Sequence, residues 1–341
     1  MKRHGILAAG NWILDTTKVI DVWPAQDALA NIQEESSANG GGPFNLLVDL
    51  AKLGANFPLE GAGLIGRDAA GDHILKICDE HRIGRNQLHR TSDHATSYTD
   101  VMTARSTGRR TFFHHRGANA AFGPEHVDLM NSHAKIFYLG YLLLLDRMDH
   151  PGTVRGTTAA ELLEKAQSLG FITAIDVVSE DSSRFRDVVL PALPYTDYAI
   201  LNEFEAERTT GHIIREGTHL NLGNLRKAAS DLLQQGVRQW VVIHFPEGAL
   251  ALHLSGTQLL QPSLVLPDGF IAGSSGAGDA FAAGVLHALH EHLPMSQALI
   301  DGVCSAAACL HHPSTSGGIT GLDDCRKLSE SYLCRSLSII A

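Results

Sequence analysis

Cysteine is scarce and unpaired in pattern. The 341 residues hold five, Cys78, Cys304, Cys309, Cys325 and Cys334, with no Cys-x-x-Cys pair. An odd, scattered set argues against a disulfide scaffold and a cysteine-type zinc site, and the reducing cytoplasm is the expected compartment. Long apolar runs are missing too. The longest, Ile136 to Leu145, is broken by Gly140 and falls short of the ~18 residues of a membrane span. Met1-Lys2-Arg3 is followed by no long apolar region before Asp15, so no signal peptide is expected. There is no basic excess: 27 Lys and Arg against 37 Asp and Glu give −10, which speaks against a nucleic-acid partner. No Gly-x-x-x-x-Gly-Lys-Ser/Thr loop occurs, so any nucleotide use lies outside the P-loop class. The 19 histidines include no His-Glu-x-x-His. His287, His290 and His292 read as a solvated helix terminus rather than a metal site.

What is present is an ordinary globular balance, 44% hydrophobic and 19% charged, at a length of one large α/β domain with an insertion or two domains. Gly5–Ala9 reads as a strand. Residues 12–38 mix β-formers with polar residues, as short exposed strands do. Phe44, Leu47, Val48 and Ala51 recur at helical spacing, with Gly54 as a stop. Residues 95–117 form a second strand-rich patch around a Gly108-Arg109 turn, and the two patches are expected to pair as one small antiparallel sheet. Beyond residue 130, strands (135–140, 171–178, 198–201, 239–244) alternate with helices (158–169, 222–235, 276–290, 296–311). That alternation predicts a mostly parallel sheet covered on both faces. Such sheets bind ligands at the carboxyl ends of their strands.

The strongest local signal is Gly273-Ser274-Ser275-Gly276-Ala277-Gly278-Asp279-Ala280-Phe281. A turn of small residues runs straight into an apolar helix. The free N–H groups of that helix's first turn form an anion site, and Asp279 is placed to take a proton from a hydroxyl. A plain helix start with a dipole-compatible Asp is the structural alternative. Asn202-Glu203-Phe204-Glu205 follows a strand and reads locally as a helix-capping Asn with acids in the first turn. Gly61-Ala62-Gly63-Leu64-Ile65-Gly66 matches the dinucleotide fingerprint. We read it as a decoy: Pro58 interrupts any long strand before it, and Arg67-Asp68 separate it from the next helix.

The 273–281 segment resembles the C-terminal signature of the PfkB, or ribokinase-like, carbohydrate kinases, usually Asp-Thr-Thr-Gly-Ala-Gly-Asp-Ala-Phe. Gly276 to Phe281 match, Ser274 and Ser275 replace Thr, and Gly273 replaces the first Asp, which bears on the monovalent-cation site of some members. The rest follows in family order. Gly10 to Asp15 resembles the first strand's end with its sugar-binding Asp. Gly40-Gly41-Gly42-Pro43-Phe44-Asn45 resembles the Gly-Gly-x-x-x-Asn element. Gly63, Gly66, Asp68 and Gly71 fit Gly-x-x-Gly-x-Asp-x-x-Gly, and Gly117-Ala118-Asn119 resembles a loop near the sugar. Asn202-x-x-Glu205 resembles the element that organises magnesium. Trp240 to Ala249 occupies the place of a strand-Thr-x-Gly-x-x-Gly loop, with His244 and Pro246 departing from it.

The resemblance implies a three-layer α/β/α core with a β lid from about 12–38 and 95–117, in one kinase domain spanning 1–341. It implies transfer of the γ-phosphoryl group of ATP to a carbohydrate hydroxyl. Asp279 would be the base, and the amides of Gly276, Ala277 and Gly278 the anion hole. Asp15, Gly41, Gly42, Asn45, Asn119 and Arg116 would face the substrate. Asn202, Glu205, His244, Gly248, Ser275, Gly276 and Gly278 would face ATP, with Glu205 serving Mg²⁺ through water. His311-His312-Pro313-Ser314 is expected to flank the adenine. Arg105, Arg109, Arg110, His114 and His115 are expected mostly on a solvated hairpin face. A homodimer through apolar lid residues (Val19, Val22, Trp23, Phe112) is expected, with no membrane or nucleic-acid partner. The alternatives are a nucleoside or sugar-phosphate kinase of the same fold, or a catalytically silent sugar-binding regulator.

Overall fold

Ile6, Leu7, Ala8 and Ala9 are all fully buried, the mark of a strand covered on both faces. Ile6 and Ala8 join one apolar cluster, Leu7 and Ala9 the other, because successive side chains point to opposite faces of a sheet. The computed structural model describes residues 3–107 and 109–337. In chain order its strands are β1 (Ile6–Gly10), β2 (Ile13–Ile20), β3 (Ile32–Gly40), β4 (Leu59–Gly66), β5 (Gly84–Thr91), β6 (Ser97–Ala104), β7 (Arg110–His115), β8 (Ile136–Leu142), β9 (Ile172–Val177), β10 (Tyr198–Asn202), the two-residue β11 (Arg215–Glu216) and β12 (His219–Leu220), β13 (Trp240–Phe245), β14 (Gly248–His253) and β15 (Gln258–Pro262).

Nine strands form the main sheet in the order β15-β14-β13-β10-β9-β8-β1-β4-β5. It is parallel from β13 to β5, and β14 and β15 add an antiparallel edge. Helices Gly42–Leu53, Ala277–His290 and Met295–Leu310 pack on one face. Thr158–Ser168 and Leu222–Gln234 pack on the other. This is the three-layer α/β/α architecture that the resemblance implied. Gly54 ends the first of these helices at φ 88°, its N–H returning to the Ala51 carbonyl, a common glycine stop.

The second sheet runs β3-β2-β6-β7. Its two hairpins are antiparallel, but β2 and β6 pair in parallel across eight residues, so the lid is mixed rather than antiparallel as expected. Connectivity allows it: β2 follows β1 and β6 follows β5, so both enter the lid from the carboxyl ends of parallel strands of the main sheet. Gly108 of the expected lid turn lies outside the described residues.

The glycine fingerprint at 61–66 lies inside strand β4 itself, not in a strand-to-helix turn. Its glycines make room for Trp12. A Cβ on Gly61 would lie 2.5 Å from the indole and one on Gly63 2.1 Å from it, and the indole N–H donates to the Ala62 carbonyl at 2.9 Å. Asp68 caps helix Ala69–Glu80 by accepting from Gly71 N at 2.8 Å, and it also binds Thr96 N and Oγ1 at 2.7 and 2.6 Å. It thereby ties the main sheet to the start of β6. His290 is buried rather than solvated, its Nε2 accepting from Gly5 N at 2.8 Å.

Candidate active site

The carboxyl ends of the parallel strands point toward the lid, and a cavity of about 440 Å³ opens between them. Asp15 from β2, Phe112 from β7, Gly41 at the entrance of helix Gly42–Leu53 and Asn45 within it, Tyr141 from β8, Asp176 from β9 and Asp279 all border it. Residues more than 260 positions apart in the chain thus share one site.

Asp279 sits in the first turn of helix Ala277–His290. The helix is entered through Gly276 at φ 79°, where a Cβ would lie 2.4 Å from the Thr315 carbonyl, so only glycine makes this turn without strain. The first intrahelical bond is Ala280 N to Gly276 O, so the amides before Ala280 have no intrahelical acceptor. The Asp279 carboxylate receives Tyr141 Oη at 2.6 Å and Asn45 Nδ2 at 2.8 Å. Asn45 is in turn held by Asn39 at 2.6 Å. Burial raises the Asp279 pKa to about 6 against these two donors.

A second, largely apolar cleft of about 700 Å³ adjoins the first, bordered by Leu264, Leu266, Ile271, Val303, Ala307 and Leu310. The two share Ser179, Asn202, His244 and Gly278. A flat apolar group in one and a polyhydroxyl molecule in the other would meet at the helix N-terminus. His244 packs on Phe281 with ring centroids 5.1 Å apart, and a Cβ on Gly278 would lie 3.1 Å from its Cε1. Burial drives this imidazole down to about 4 and leaves it neutral.

Four carboxylates border the polar cavity, Asp15, Asp176, Glu205 and Asp279. Asp15 is raised to about 7 by burial, with a further push from the charge of Asp279. Glu205 is raised to about 8, chiefly by burial, and Asp176 well above its ordinary value by burial and by Glu205. Glu205 completes a capping box: Asn202 N donates to Oε2 at 2.8 Å, Asn202 Nδ2 and Ser179 Oγ to Oε1 at 2.6 and 2.8 Å. The helix-cap reading of this element holds, and the capping carboxylate also borders the cavity. Among the described residues no group of three or more His, Cys, Asp or Glu side chains is gathered to enclose a metal ion. The oxygen-rich set of Asp176, Ser179, Asn202 and Glu205 suits a hydrated Mg²⁺ that keeps its waters and takes other ligands from phosphates.

The structure brings Asp15, Gly41, Asn45, Asn202, Glu205, His244, Ser275, Gly276, Gly278 and Asp279 onto the first cavity, and Ala277 and Gly248 onto the second. Gly42 lies behind the wall, leaving room for Tyr138 and Tyr141. Asn119 braces the chain after β1, its Oδ1 accepting from Trp12 N at 3.2 Å. Arg116 is bound to Asp146 and Glu180 at 2.7 and 2.8 Å. Arg110 is not on a solvated face: it is half-buried and its guanidinium donates to the hydroxyls of Ser274 and Ser275. Of the 311–314 segment only its neighbour Leu310 borders the apolar cleft, and His312 folds back on Ser314 N at 3.1 Å. Tyr141, Asp176 and Ser179 had escaped the sequence reading, and Phe112, expected on the open face of the lid, borders the cavity. No local motif marks them, and strand order alone delivers them.

A lidded α/β sheet with a carboxylate at a helix N-terminus, between a polar and an apolar cleft, is suited to transfer between two molecules bound side by side. The model of the pfkB family carbohydrate kinases matches residues 10–320, and the chain belongs to that family as an ATP-dependent carbohydrate kinase. A fructokinase of Vibrio alginolyticus is 24% identical over 281 residues, covering 80% of this chain and 84% of that protein. Among solved structures, Arabidopsis thaliana ribokinase complexed with ribose and ATP superposes with a TM-score of 0.78 at 19% identity, over 96% of this chain and 98% of that one. A Methanocaldococcus jannaschii nucleoside kinase gives 0.75 at 16%, over 97% and 99%.

Proposed function

We propose that the protein transfers the γ-phosphoryl group of ATP to a hydroxyl of a small uncharged sugar, with Asp279 as proton acceptor. The observation that carries this is the position of the Asp279 carboxylate on the polar cavity, in the same helical turn as Gly278, which the two clefts share. The base of ATP would fill that cleft, and its phosphates would cross at Gly278 and His244. The amides of Gly276, Ala277 and Gly278 would hold the transferring oxygens, as fixed dipoles do wherever charge develops. Asp15 and Asn45 would orient the sugar. Its hydroxyl oxygen bonds to the γ-phosphorus as the bond to the bridging oxygen of ADP breaks, the electron pair leaving with ADP and the proton passing to Asp279. Mg²⁺, where bound with the nucleotide near Asp176 and Glu205, supplies charge neutralisation. Closure of the lid would exclude water.

The described lining of the polar cavity is acidic or neutral, which favours a neutral sugar over a sugar phosphate. The intact Asp279 constellation favours an enzyme over a silent regulator. We place residues 1–341 in one kinase domain with a discontinuous lid. We also place the protein in the reducing cytoplasm, on the grounds of four buried free thiols. Val22, Trp23 and Phe113 are each about half exposed on the lid, whereas Phe112, expected on the same open face, borders the cavity instead because neighbouring strand residues point to opposite faces, and Val19 is partly covered. Such patches mark interfaces, and we infer a homodimer through the lids. A panel of ketoses, aldoses, sugar acids, sugar phosphates and nucleosides, scored by sugar-dependent ADP release, tests the activity. Release with neutral sugars supports it, and none with any acceptor contradicts it.

A further inference from the structure

Asp279 is gripped from two sides. Tyr141 Oη donates to Oδ1 at 2.6 Å and Asn45 Nδ2 to Oδ2 at 2.8 Å. The phenol does not reach Asp279 by chance. Its ring fills the space that Gly42 leaves open, where a Cβ would lie 2.8 Å from Cε1, and the Tyr141 amide donates to Asn11 Oδ1. Packing and backbone therefore fix the hydroxyl on the carboxylate.

The electrostatic setting shows what that contact does. The groups that face Asp279 are Asp15 of the lid, Asp49 of helix Gly42–Leu53, Asp176 of β9, Glu205 and Cys309, with Tyr138 beside Tyr141. Each is acidic or neutral. Lys52 is turned to the carbonyls of Ser316 and Gly317. A dry, acidic environment favours the protonated carboxyl, and a protonated carboxyl cannot accept a proton from a sugar. Donors to the ionised form oppose this. Tyr141 is suited to the task because burial and the charge of Asp279 hold its own ionisation well above the ordinary range, so it remains a donor. A carboxylate oxygen accepts more than one hydrogen bond, so a sugar hydroxyl can join without displacing the phenol.

We propose that Tyr141 is a positioning residue whose hydroxyl keeps Asp279 ionised and oriented toward the acceptor hydroxyl. The inference rests on Asp279 being the proton acceptor. Tyr141 forms and breaks no covalent bond, and the transferred proton resides on Asp279.

The test is kcat/KM for the acceptor sugar from pH 5 to 9 at saturating ATP and Mg²⁺, for the wild type and Tyr141→Phe in parallel. Removing the donor should move the acid limb upward by about one unit, with kcat/KM about tenfold lower at pH 5, about threefold lower at pH 6.5 and recovered to near wild type at pH 9. 3-Fluorotyrosine at position 141, a stronger donor of the same shape, should move the limb downward and gives a reading even where the Phe variant folds poorly. An unmoved limb in both proteins, or a loss equal at every pH, overturns the proposal. Asp279→Asn separates the two levels. If it turns over normally, the base assignment itself fails. If it is inactive while the Tyr141 variants titrate like wild type, only the Tyr141 role fails.

Discussion

Asp279 is one carboxylate among several that folding has forced into dry surroundings. Its replacement by Asn keeps the shape and removes the basicity. Turnover should fall by roughly 10²–10⁴-fold, the usual contribution of a positioned acid–base group, while sugar affinity changes little. Steady-state kinetics beside sugar titration checks this. Asp15 carries a stability consequence as well. Its folded-state pKa of about 7 lies above the ordinary 3.8, so between those values the folded protein binds more protons than the unfolded chain. Its contribution to stability is present at low pH and lost as pH rises through 7. Asp15→Asn should therefore raise the melting temperature at pH 8, leave it nearly unchanged at pH 4, and weaken sugar binding. Melts with equal shifts at both pH values would show that the charge is not the cause. Gly276 to Asp279 were legible in the sequence because a helix N-terminus is a local object. Tyr141 was not, because nothing within β8 announces that its hydroxyl meets a residue 138 positions away.

At the scale of elements, periodicity located most core strands and helices to within one or two residues, since buried faces impose it. Two failures have physical causes. The strand β4 was missed because its glycines look like a turn, when they are the floor beneath Trp12. The parallel pairing of β2 with β6 was missed because register between strands some 80 residues apart is not written in either one. The first explanation predicts that Gly63→Ala destabilises the protein by about 1–3 kcal/mol, the usual cost of overpacking, with no effect on NAD binding because none is expected. Denaturant unfolding measures it, and a variant as stable as wild type would mean that Trp12 moves freely. The antiparallel β14 and β15 also went unread, as short strands after a turn carry a weak pattern.

For the whole molecule, the lid joins two questions, closure and assembly. Trp23 stacks on Phe113 with ring centroids 6.3 Å apart, yet each remains about half exposed. A lid-to-lid dimer would cover them. Sedimentation at micromolar concentration should show twice the mass of one chain, and Phe113→Asp should shift it to one chain. A charge introduced on helix Thr158–Ser168 should not. A single-chain mass at every concentration would remove the dimer. Arg110, which bridges the lid to Ser274 and Ser275, shows why the site as a whole was only partly legible: the hairpin looked solvated until the fold set it against the 273–276 turn.

The central claim is that the Asp279 carboxylate takes the proton from a sugar hydroxyl as the γ-phosphoryl group of ATP transfers. The most direct measurement is sugar-dependent ADP release across a panel of neutral sugars, with wild type and Asp279→Asn assayed side by side and sugar binding measured for both. The account predicts release by the wild type with at least one neutral sugar, and its near-complete loss in Asp279→Asn with sugar binding retained. Equal turnover by the two proteins would contradict it.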